Sequence, residues 1–122
     1  MHKYQSLEAW KRARATAVLV YRTTDAASHP RCWSLFDQIR RAAVSVEANI
    51  VEGYALGTPR QFLRHLRIAL GSAAEAETLT RLAGVIGYLS EDKVAEIEGL
   101  CGGAMRALQG LIRRPLASRP SN

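Results

Sequence analysis

Apolar side chains recur at intervals of three and four residues in four successive stretches of this chain, the spacing that puts them on one face of an α-helix. The first stretch predicts a helix over about 6–27, with Ser6 as N-cap and Leu7, Trp10, Ala13, Ala17 and Val20 as its inward stripe. Within it Val18-Leu19-Val20-Tyr21 is apolar at four consecutive positions. That run covers more than one helical face, so a surface beyond the intramolecular core is expected to pack there. The second stretch predicts a helix over about 33–54, where Phe36, Ile39, Ala43, Val46, Ile50 and Gly53 keep the alternation of a bundle seam.

Thr58-Pro59-Arg60-Gln61 reads as the start of a third helix, with Thr58 as cap, Pro59 in the first turn and Gln61 closing a capping box. Its stripe is Phe62, Leu66, Ala69, Ala73, Ala76, Thr80 and Ala83, widened by Leu63 and Leu70, and Gly87 ends it. Ser90 caps a fourth helix that carries Glu91 and Asp92 in the first turn, where the helix dipole favours negative charge. That helix runs to about 113 on a seam of Val94, Ile97, Cys101, Ala104, Leu108 and Leu111. Gly99, Gly102 and Gly103 lie inside it and predict a weaker or kinked element. Residues 114–122, with Pro115 and Pro120, lack periodicity and are expected to form a disordered tail beyond a single domain over 1–113. Short connections force neighbouring helices to run antiparallel, so the predicted fold is all-α, an up-down-up-down four-helix bundle.

A length of 122 residues suits one core, and 48% hydrophobic with 23% charged residues is the balance of a chain that folds. Cys32 and Cys101 form neither a CxxC pair nor a cluster with histidines, and both read as free thiols. No stretch approaches the roughly 18 apolar residues of a membrane span. The N-terminal MHKYQSLEAW also lacks the apolar core of a signal peptide, so a cytoplasmic location is expected by default.

Polar residues interrupt the second helix in a stripe of their own, Arg41, Ser45, Asn49 and Glu52. If the second and third helices are antiparallel about a turn near Leu56, residues whose numbers sum to about 113 lie level. Arg41 then approaches Ser72 and Glu75, with an Arg41–Glu75 ion pair as the specific expectation, and Glu52 approaches Arg60 and Arg64. Such a stripe fixes helix register by penalising wrong arrangements, and no catalytic role is assigned to it. The Glu-x-x-His motifs of a dimetal bundle are absent, and His2, His29 and His65 fall in the N-terminal tail, a loop and an Arg-rich helix face. No metal, no cofactor and no enzymatic activity are predicted.

Charge changes this picture. The net charge is +6, and 14 of the 17 basic residues are Arg, whose planar fork of donors suits phosphate. Arg60, Arg64 and Arg67 share one face of the third helix, and Lys11, Arg12, Arg14 and Arg22 supply a second patch on the first. Both patches could follow a phosphate backbone. Equally, they could be solvated surface, or could pair with Glu91, Asp92, Glu96 and Glu98 of the fourth helix.

Several blocks carry a family resemblance: 7–13 (LEAWKRA), 38–53 (QIRRAAVSVEANIVEG), Phe62-Leu63, 69–75 (ALGSAAE) and Gly87-Tyr88-Leu89. In order and spacing they resemble the four-helix proteins first associated with intervening sequences in bacterial large-subunit ribosomal RNA genes. The resemblance implies an antiparallel four-helix bundle, assembled as a ring-shaped homopentamer, of undefined molecular activity. It supplies no catalytic residues. The similar bundle accessory proteins of diversity-generating retroelements form pentamers and contact nucleic acid through basic surfaces, which supports nucleic-acid binding by analogy. One departure is Glu47, where the family commonly has Pro; the second helix is expected to run through it without a kink. The expectation is an oligomeric cytoplasmic bundle that binds RNA or DNA through its Arg-rich surfaces, with a non-enzymatic scaffold or protein-interaction module as the alternative.

Overall fold

The computed structural model describes residues 3–114, in which four helices account for nearly the whole chain. They are α1 (Glu8–Ala26), α2 (Trp33–Leu56), α3 (Pro59–Val85) and α4 (Glu91–Arg113), with 3-10 turns at Lys3–Ser6 and Pro30–Cys32. Their ends follow from local chemistry. Thr58 holds an extended backbone and its Oγ1 accepts from the Gln61 N–H at 3.2 Å, while its hydroxyl donates to Gln61 Oε1 at 3.0 Å. Ser90 caps α4 in the same way, accepting from the Lys93 N–H. Gly57 and Gly87 terminate α2 and α3 at φ of 79° and 84°, a left-handed conformation that costs a side-chain-bearing residue. The start of α1 departs from expectation: Leu7 occupies the N-cap without a side-chain hydrogen bond, and Ser6 belongs to the preceding 3-10 turn. The predicted tail and His2 lie outside the described residues, apart from Arg114 at the end of α4.

Each helix packs on two others, in the cycle α1–α2–α3–α4–α1. Among the described residues no Cα atoms of the pairs α1–α3 and α2–α4 come within 8 Å, so these stand diagonally across the core. Paired residues run in opposite numerical order along neighbouring helices. Arg14 meets Glu47 and Asp25 meets Arg40; Ser45 meets Ser72 and Asn49 meets His65; Arg81 meets Glu98 and Gly84 lies against Val94.

All the stripe residues predicted for α2 and α3 are buried. They divide into two apolar layers, one around Phe36, Ile39 and Ile97 and the other around Ile50, Leu66 and Leu108. On α1 the buried face is made of small residues, and it includes Thr16, Thr23 and Thr24, while Leu7 and Trp10 are only half-buried. Thr16 and Thr24 donate to the carbonyls of Arg12 and Val20 one turn back, at 2.8 and 2.7 Å, and Thr80 does the same to Ala76. Their hydroxyls are thereby satisfied within their own helix, which lets threonine stand in a core stripe.

The helix α4, with Gly99, Gly102 and Gly103 inside it, spans Glu91 to Arg113 as one element. Gly103 is buried, and a Cβ there would come within 2.7 Å of Arg12 Nη1, so its bare backbone gives Arg12 a path across the helix. No helix among the described residues is long and apolar enough to cross a membrane.

Candidate nucleic-acid interface

The start of α3 sets the phase of everything that follows on it. With Thr58 capping and Phe62, Leu66 and Ala69 turned to the core, Arg60, Arg64 and Arg67 fall within about 60° of one another on the opposite side. All three are exposed, and among the described residues none is joined to a carboxylate. With Leu63 and Ile68 they line a shallow open depression of about 640 Å³. Beyond them the outward face of α3 passes through Gly71, Ala74 and Thr78 to Leu82, Val85 and Ile86. Val85 is 85% exposed, and it borders a second depression of about 440 Å³ lined also by Arg81, Gly84, Glu91, Val94 and Glu98. One helix therefore presents a basic half and an apolar half.

The patch on α1 is a weaker candidate, because half of its charge is already matched. Arg12 bonds to Glu8 at 3.1 Å. Arg14 grips Glu47 with Nε and Nη2, the closest approach being 2.7 Å, and its guanidinium stacks 5.0 Å over the Trp10 ring. The hydrogen bonds and charge of Glu47 raise the Arg14 pKa above its ordinary value. Lys11 and Arg22 are exposed and have no such partner among the described residues. On α3, Arg81 is likewise matched, by Glu98 at 3.0 Å and Glu77 at 3.7 Å.

Of the polar stripe, the structure brings together Ser45, Asn49 and Ser72, and adds His65. Ser45 Oγ lies 2.8 Å from Ser72 Oγ. The Asn49 amide donates to the Ser45 carbonyl at 2.9 Å and to its Oγ at 3.1 Å, and Asn49 Oδ1 faces His65 Nδ1 at 2.9 Å. Arg41, Glu52 and Glu75 are exposed instead, and no ion pair joins Arg41 to Glu75 or Glu52 to Arg60 or Arg64. His65 is buried at the α2–α3 contact rather than standing on the Arg-rich face. The register that levels residues summing to about 113 already placed it beside Asn49. Assigning it by its arginine neighbours alone hid that signal.

Little here suits covalent chemistry. Burial pushes the Cys101 thiol up to about 12, with Glu77 and Glu98 adding to the shift, so it stays protonated at neutral pH. Among the described residues no three His, Cys, Asp or Glu side chains gather within reach of one metal ion.

The model of one protein family, the 23S rRNA-intervening sequence proteins, matches residues 5–110. The chain belongs to that family. A solved structure from Bacteroides thetaiotaomicron, described as a protein of unknown function from the S23 ribosomal protein family, is similar at a TM-score of 0.75 and 21% identity. The match covers 87% of this chain and 99% of that one. Among curated proteins no match is found. In this intervening-sequence protein the blocks of resemblance 38–53 and 69–75 lie on α2 and α3 and carry Ser45, Asn49 and Ser72. Glu47 holds Arg14, and α2 runs through it unbroken.

Proposed function

We propose that this protein is an oligomeric, cytoplasmic, non-enzymatic antiparallel bundle that binds nucleic acid through the outward face of α3. The observation that carries the reading is the row Arg60, Arg64 and Arg67, exposed and without carboxylate partners on a rigid helix. Guanidinium groups with no internal partner are the ones available to neutralise phosphate and release its counterions. The ribosomal names of the family and of the similar structure favour an RNA, and the opposed numbering of paired residues favours the up-down arrangement. Fluorescence anisotropy with labelled structured RNA and duplex DNA at two salt concentrations tests it. Binding that weakens steeply with salt, and is lost when Arg60, Arg64 and Arg67 are together changed to Glu, is the expected result. No binding at low salt sinks the reading.

A second reading, a self-assembling scaffold, is favoured by the apolar end of α3. Leu82, Val85 and Ile86 are all exposed there beside the acidic start of α4, a surface suited to burial against another copy. A homopentamer is the assembly proposed. Sedimentation of the protein beside a Val85→Asp variant tests it, the variant being expected to shift toward monomer.

A further inference from the structure

Resting on the nucleic-acid reading above, we infer that the α3 strip is built for a double-helical backbone rather than for a single strand. Three observations lead there. The first is spacing. Arg60, Arg64 and Arg67 sit on one uninterrupted helix, so their Cα atoms advance by roughly 6 and 4.5 Å along its axis, about 10 Å in all. A duplex offers a charge every ~1.7 Å of axis, on two strands held at fixed separation, so a rigid row of that length meets several phosphates at once. A flexible single strand has to be ordered before it can do the same.

The second is the composition of the strip. Its non-basic members are Leu63 and Ile68, followed along the helix by Gly71 and Ala74. Single strands are gripped through aromatic platforms on which bases stack. The most exposed rings of this protein lie elsewhere and are engaged: Tyr21 lies 5.3 Å beneath the Arg40 guanidinium, and the Trp33 indole N–H donates to Ser28 Oγ at 3.3 Å. Trp33 opens α2, a helix of 24 residues whose far end leads into Arg60, roughly 35 Å away along the axis. No aromatic ring lines the strip itself.

The third is the number of cations in the strip itself, since the other exposed cations without a carboxylate partner, among them Lys11, Arg22, Arg41, Arg106 and Arg113, lie outside it on α1, α2 and α4. Lys11 and Arg22 belong to α1, no Cα of which comes within 8 Å of α3, and which turns its outward face the other way. The strip itself therefore offers three cations per protomer. Taking three phosphates, the counterion-release slopes of about 0.9 per phosphate for a duplex and about 0.7 for a single strand make any duplex preference shrink by about 2.3-fold between 50 and 200 mM salt.

The experiment measures affinity of the full chain for a 20-base-pair RNA duplex, a 20-base-pair DNA duplex and a 20-nucleotide strand that cannot pair, each at 50 and 200 mM salt. Tighter binding of both duplexes, with a margin that narrows as salt rises, is expected. Arg64→Gln and Arg67→Gln, whose helical content is checked by circular dichroism, should each lower the duplex salt slope by about 0.9. A single strand that binds as tightly as the duplexes overturns this inference and leaves the nucleic-acid reading standing. An unchanged salt slope in both folded variants overturns the assignment to this strip, and no binding of any probe overturns both.

Discussion

His65 is held by α2 through a chain of short polar side chains. Because the Asn49 amide already donates to Ser45, its Oδ1 is the atom left for His65, and Nδ1 of the ring is the donor in either charge state. Asn49→Ala removes that acceptor and orphans a buried imidazole, which should cost about 1–3 kcal/mol in urea unfolding. Ser72→Ala deletes one hydroxyl from the edge of the chain and should cost about 0.5–1.5 kcal/mol. Cys101 gives a second prediction at this scale. Its thiol is raised from about 9 in the unfolded chain to about 12 in the folded one, chiefly by burial. Between those values the folded state holds a proton that the unfolded state releases. The contribution is complete below pH 9 and is lost as pH rises toward 12, at up to about 1.4 kcal/mol per pH unit. The unfolding free energy of the wild type should therefore fall more steeply from pH 9 to 11 than that of Cys101→Ala.

Between helices, backbone distance decides which glycines are replaceable. A Cβ on Gly53 would lie 2.6 Å from the Cβ of His65, an atom fixed to the α3 backbone, so the two helices would have to part. Gly53→Ala is expected to destabilise by roughly 1–3 kcal/mol, measured by denaturant unfolding. Gly99 and Gly110 on α4 meet no atom within 4 Å, and alanine at either should stabilise by about 0.5–1 kcal/mol through helix propensity. Opposite signs from one substitution separate packing glycines from incidental ones.

The same distances explain how far the sequence could be read. The seams of α2 and α3 were legible residue by residue, because strict three-four spacing leaves one face to bury. Ser45, Asn49 and Ser72 were legible as members of the polar stripe, but the register set Ser72 beside Arg41, and the structure pairs it with Ser45. Arg41 and Glu75 are long and sit on the outer flank, where hydration competes with an exposed ion pair. The Arg14–Glu47 grip went unread, since spacing gives the level of two residues and not the flank toward which each long side chain turns. Together with the Arg12–Glu8 pair it matches half of the α1 patch and leaves α3 as the stronger candidate.

At the scale of the molecule, the diagonal placement of α1 and α3 separates two outward faces of unequal charge balance. Changing Lys11 and Arg22 to Gln should alter polyanion affinity much less than changing Arg64 and Arg67, with the helical content of both variants unchanged. Anisotropy titration at low salt makes that comparison directly, and equal losses would return α1 to the interface.

The two halves of α3 also answer ionic strength in opposite senses. Screening weakens the hold of Arg60, Arg64 and Arg67 on a phosphate chain, whereas strongly hydrated salts such as sulfate promote the burial of Leu82, Val85 and Ile86. A single solution variable therefore sorts two kinds of association on one helix. On the two proposed readings, dilute electrolyte would favour polyanion binding and concentrated sulfate would favour self-association.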